Sequence, residues 1–130
     1  MIQRIQSIYL LLAAVAAIVF LFVPSAEVEG VQLIAQNNMP LLALSAIGAL
    51  ISLAVIFLFK NRVLQANIGR ISLLPLLGLV GYSLFIEFSD GDFQAAWGIG
   101  LPVVATLLVF LAVGAIRKDE NKVRSMDRLR

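Results

Sequence analysis

The sequence predicts an all-α integral membrane protein, a bundle of four transmembrane helices with a cytoplasmic C-terminal helical tail. Three observations predict it. Of 130 residues, 61% are apolar and 14% are charged, against about 45–50% and about 25% in an ordinary soluble domain. The charges fall in blocks. Between the blocks lie four apolar runs close to the roughly 20 residues that a helix needs to cross a bilayer. Residues 1–116 are therefore expected to form the transmembrane domain and residues 117–130 the tail.

The first run, Ile5–Val23, stops at Pro24, and the second, Pro40–Phe59, contains no charge. The third, Ile71–Phe88, is uncharged until Glu87, and the fourth, Trp97–Ile116, is uncharged throughout. Helices are expected because backbone polar groups in lipid must be satisfied within the segment. A β-barrel needs alternating strands, and these runs do not alternate. Phe20, Phe22, Phe85, Phe88, Phe93 and Trp97 fall at run ends predicted to share one side, with Phe57 and Phe59 at the other. Trp97 is the best interfacial anchor among them. A cleaved signal peptide over Met1–Ala26 is the rival reading of the first run. That run is longer than a usual signal core, and Val23-Pro24-Ser25 is a poor cleavage site.

Charge then predicts the threading. All ten basic residues lie at the start, between runs two and three, or in the tail. The segments Pro24–Met39 and Ser89–Ala96 contain none, and with the adjoining Glu87 they hold Glu27, Glu29, Asp90 and Asp92. Basic loops stay in the cytoplasm, so both termini are expected there.

Small residues at helical spacing mark candidate packing seams. They are Ala13 and Ala17 on the first run, Ser45, Gly48 and Ser52 on the second, and Gly78 and Tyr82, with Ser72 and Pro75, on the third. Ala105 and Ala112 share a face of the fourth. Such residues let helices approach closely where no hydrophobic effect drives them together. Pro75 and Pro102 are read as lying near helix starts, where a missing N–H costs little.

The residues present give little reason to expect an enzyme. Without Cys there is no thiol chemistry, and without His the commonest general base and metal ligand are missing. No run carries an ionisable residue at its centre, where one would suggest function. Glu87, Asp90 and Asp92 are weak metal candidates, because "EFSDGD" lacks the other oxygen ligands of a calcium loop. The first run lacks the carboxylate of small multidrug exporters. Cysteine pairs of thiol oxidases and the intramembrane Arg and Glu of glutathione-dependent membrane enzymes are missing too. No catalytic residue, cofactor or nucleic-acid partner is expected.

The tail, "RKDENKVRSMDRLR", has six bases and three acids, and neither Gly nor Pro interrupts it. Glu120 precedes Arg124 by four residues, the favourable order for a helical pair. Asp119–Lys122 and Asp127–Arg130 lie within reach at three. Val123, Met126 and Leu129 form a narrow apolar stripe. A stop-transfer segment, a helix lying on the anionic leaflet and a docking helix are the three roles open to it.

The opening "MIQRIQSIYLLLAA" and the closing "RKDENKVRSMDRLR" resemble an uncharacterised four-helix inner-membrane family of Bacteroidota, a domain of unknown function. Met1–Ala14 and Arg117–Arg130 carry the likeness, and the middle matches only in its pattern of runs. The resemblance implies the same topology and no activity. It draws attention to Gln3, Arg4 and Gln6 at the start. In the tail it does so for Arg117, Lys118, Asp119 and Glu120, and then for Arg124, Asp127, Arg128 and Arg130. These are the expected docking residues for a membrane or cytosolic protein partner, on a rim completed by Lys60–Arg70. The expected function is a non-catalytic accessory or scaffold subunit in the lipid bilayer. The alternative is a small homo-oligomeric transporter or channel exposing Ser45, Ser52, Thr106 or Tyr82 to water.

Overall fold

A computed structural model describes residues 2–89 and 93–129, apart from the side chains of residues 2, 3, 28, 93 and 95. Four helices dominate it: α1 (Ile2–Phe20), α2 (Met39–Phe57), α3 (Arg62–Ser89) and α4 (Gly100–Arg128). Each packs on two neighbours, α1 on α2 and α4, and α3 on α2 and α4. The result is an up-down-up-down ring. Three helical segments, Met39–Phe57, Arg62–Ser89 and Trp97–Arg128, are long and apolar enough to cross a membrane. The first helix contributes a shorter apolar stretch, Arg4–Phe20. At 19 residues α1 is about 28 Å long, close to the thickness of a bilayer core.

Side-chain placement follows the solvent expected. Leu11, Leu50, Leu74, Leu107 and Phe110 face outward, while Ser45, Ser52, Ser72 and Ser83 are buried. This inverts the usual soluble arrangement. Each buried hydroxyl has a carbonyl partner. Ser52, Ser72 and Ser83 donate to Gly48, Gly69 and Leu79 of their own helices, and Ser45 donates across to Ala17.

One helix boundary and one side-chain placement differ from what the sequence predicts. Helix α3 starts at Arg62, nine residues before its apolar run. Nothing in Val63–Arg70 breaks a helix, and Asn61 caps the start by accepting from the Leu64 N–H at 3.2 Å. Pro75 is therefore inside α3 rather than near its start, and it leaves the Ile71 carbonyl without its helical donor. Phe20, read as an interfacial aromatic, is fully buried. It packs with Ala35, Leu41 and Leu79 where the helix ends meet the connecting segments.

Those segments form a small sheet, with strands β1 (Pro24–Val28), β2 (Val31–Ile34) and β3 (Phe93–Ala95) in the order β2-β1-β3. The β1–β2 hairpin turns on Glu29 and Gly30, both at positive φ (51° and 80°). This is the signature of a tight I′ turn. Antiparallel pairing of β3 with β1 ties the α3–α4 connection to the α1–α2 connection. A short 3-10 turn, Trp97–Ile99, then leads into α4. Gly98 in that turn presses on β1, where a Cβ would stand 2.5 Å from the Pro24 carbonyl oxygen.

Gly98→Val is expected to lower stability by about 1–3 kcal/mol through overpacking against rigid backbone. Gly81→Ala, at a site with nothing within 4 Å, is expected to cause no loss. Thermal unfolding in one detergent checks the contrast, and equal losses would contradict the close contact.

Candidate functional site

Alternation of the helices brings the start of α1, the α2–α3 turn and the end of α4 together. Arg4, Lys60, Arg62, Arg70 and the tail bases from Arg117 to Arg128 thus share one end, while Glu27 and Glu29 lie at the sheet end. Packing along the bundle depends on small residues. Ala13 and Ala17 of α1 share a buried core with Ala105, Val109 and Ala112 of α4. A Cβ on Gly48 would come within 2.8 Å of Leu76, and one on Gly69 within 2.8 Å of Val113.

At the basic end, Arg62 of α3 reaches Asp119 of α4 at 3.3 Å. The Asp119 side chain is only 15% exposed, so the first turn of the tail is held against the bundle. From Asn121 to Leu129 every residue is exposed, and α4 crosses residue 117 without a break. The projecting part is held by local contacts. Arg124 pairs with Glu120 at 2.8 Å, and the Ser125 hydroxyl donates to the Lys122 carbonyl at 2.7 Å. Val123, Met126 and Leu129 are 42%, 65% and 89% exposed.

A groove of about 360 Å³ runs between α3 and α4 here. Val63, Ala66, Asn67 and Arg70 form one wall, and Arg117, Glu120, Asn121 and Arg124 the other. Each set follows the same spacing along its helix, so each is one continuous face. Glu120 is the only carboxylate among these lining residues and already pairs with Arg124. Among the described residues, neither Arg70 nor Arg117 has a carboxylate within ion-pair distance.

The residues singled out by sequence are divided by the fold. Ala13, Ala17, Ser45, Gly48 and Ser52 are buried between helices. Gly78 lies against Leu44, and Tyr82 is half-buried and stacked on Phe85 at 6.4 Å. Arg4, Arg117, Lys118, Arg124, Asp127 and Arg128 are exposed, while Asp119 and Glu120 are partly covered. Gln6 is not on the rim: it is 3% exposed, and its Nε2 has no hydrogen-bond partner among the described residues. Asp90, Asp92 and Arg130 lie outside the described residues, as does the side chain of Gln3. Among the described residues no three metal-ligating side chains cluster, and Glu87 is half-buried near the sheet end. Sequence reasoning missed the α3–α4 groove. Its signal was the recurrence of polar residues at three and four, at Asn67–Arg70 and Arg117–Glu120–Asn121–Arg124.

Fold and charge arrangement together define a small helical membrane protein with one basic end and one sheet-capped end. The chain belongs to the family described as a domain of unknown function (DUF4293), whose pattern matches residues 2–129. No curated protein and no solved structure matches it.

A double-mutant cycle on Arg62→Ala and Asp119→Ala is expected to give a coupling of about 0.5–1 kcal/mol in unfolding measurements. The Glu120–Arg124 pair, within one exposed helix, is expected to give about 0.3–0.5 kcal/mol. A coupling of zero between Arg62 and Asp119 would mean that the tail is not held to α3.

Proposed function

We propose that this is a non-catalytic accessory or scaffold protein of the bacterial inner membrane, with both termini in the cytoplasm. In this reading it docks a protein partner through its tail. The observation that carries it is the exposed extension of α4, which continues past the bundle while Val123, Met126 and Leu129 stay uncovered. A stop-transfer segment needs basic charge alone. This helix adds acids at 119, 120 and 127 and an apolar stripe, a mixture that suits a complementary protein surface better than anionic lipid. The cytoplasmic assignment rests on the confinement of Lys and Arg to one end.

The transporter reading has less support. Ser45 and Ser52 are buried within one bundle and bonded to backbone carbonyls, and the Thr106 hydroxyl donates to Pro102 at 2.7 Å. Burial inside one bundle turns Ser45 and Ser52 away from any path between subunits.

Gentle extraction of the native full-length protein, followed by native electrophoresis and mass spectrometry, is expected to yield a stoichiometric foreign subunit. The paired change Val123→Asp and Met126→Asp is expected to release it, as is the charge reversal of Arg124 and Arg128 to Glu. The bundle should still melt at the wild-type temperature. A protein that runs alone or only with itself, or a partner indifferent to all four changes, would overturn the docking reading.

A further inference from the structure

We propose that the groove between α3 and α4 at the basic end binds the phosphodiester headgroup of an anionic phospholipid, with Arg70 and Arg117 as its principal ligands. The register of the two antiparallel helices sets the depth of each arginine. Arg62 faces Asp119 and Gly69 faces Val113, so Arg70 stands level with Ala112, and Arg117 with Leu64–Gln65. Arg70 therefore lies five or six residues deeper in the bundle than Arg117, about 8 Å at helical rise. At that depth the neighbouring helix is apolar, and a guanidinium has to turn outward along its own helix to reach polar surroundings. The direction open to it is the groove, where Asn67 lies between the two cations and Arg117 forms the opposite wall.

Two guanidiniums that line one groove from different depths, without carboxylate partners among the described residues, suit one multi-oxygen anion such as a phosphodiester. Both arginines are exposed along the groove, so their forks are free to take a phosphate, whose geometry they match. Glu120 is already engaged by Arg124 and does not neutralise them. Its pair, with Asn121, forms a neutral polar stretch farther out, suited to the hydroxyls of a polyol headgroup. A zwitterionic choline headgroup would bring a cation toward Arg117 and Arg124 and is disfavoured.

The surface beneath the cations distinguishes a lipid from a soluble phosphate. The same face of α3 continues inward as Leu74 and Leu77, and the same face of α4 as Gly114, Phe110 and Leu107. All are exposed, and Gly114 has open space around it. An acyl chain hanging from a phosphate at Arg70 would lie along this apolar channel. Basic pockets between spanning helices at the membrane surface are a recurrent form of headgroup recognition. The inference stands apart from the docking reading, because it uses Arg70, Arg117 and the bundle's outer face rather than the projecting stripe.

The full-length protein, exchanged into equimolar phosphatidylglycerol and phosphatidylcholine and released for native mass spectrometry, is expected to retain phosphatidylglycerol selectively. Arg70→Gln and Arg117→Gln should each weaken that retention roughly fivefold, the effect of about one basic residue at a charged surface. Lys60→Gln removes the same charge outside the groove and should leave retention at the wild-type level. Wild-type melting temperatures would show that the variants still fold. Unselective retention, or equal losses in all three variants, would overturn the proposal as mere surface charge. Displacement of the lipid by millimolar glycerol phosphate or inorganic phosphate would overturn the lipid assignment in favour of a soluble phosphate.

Discussion

The whole arrangement depends on how closely four helices can approach when lipid offers no hydrophobic reward for their association. Backbone groups in a membrane are satisfied within each helix, so contact between helices must come from van der Waals fit and a few hydrogen bonds. The small faces meet that demand. Alanines of α1 share a core with alanines of α4, and Gly48 and Gly69 admit Leu76 and Val113 into spaces that a Cβ would fill. The Ser45 hydroxyl adds a bond from α2 to the α1 backbone. Register follows from these contacts, and the depth of every charged residue follows from register.

At the two ends the connections take different forms. At the sheet end, β1 pairs with both the following hairpin strand and β3, so a single strand joins both connections. At the basic end the α2–α3 turn is short, and α3 and α4 extend past the apolar zone side by side. The extension makes a polar groove where two bare helix ends would otherwise stand. It also carries the tail outward as a helix anchored at Asp119. The tail is thus held at its base, while Val123, Met126 and Leu129 lie uncovered beyond it.

Much of this was legible in the sequence, and the remainder was hidden for identifiable reasons. Four apolar runs and segregated charge indicate the helices directly, since lipid imposes composition over some 20 residues at a time. Helix ends were less legible, because charge marks where lipid stops and not where a helix stops. Hence α3 begins nine residues before its apolar run, and Pro75 becomes an interior residue. The Glu29-Gly30 turn carried a hairpin signal in its glycine. Strand β3 had little signal of its own, since three residues become a strand only when β1 is beside them. Gln6 and Phe20 looked like end residues by position and are interior by rotation about the helix. Arg70 and Arg117 were legible as topology signals. Their shared groove required the α3–α4 register, and no single helix contains that.

The most direct measurement exploits the absence of cysteine from the chain, which makes any introduced thiol unique. Ser125→Cys on the tail and Gln32→Cys on the hairpin would be labelled in intact spheroplasts with a membrane-impermeant maleimide, before and after permeabilisation. The account predicts labelling of Gln32→Cys from outside, and of Ser125→Cys only after permeabilisation. Labelling of both from one side, or the reverse pattern, would contradict a bundle threaded with its basic end and its tail in the cytoplasm.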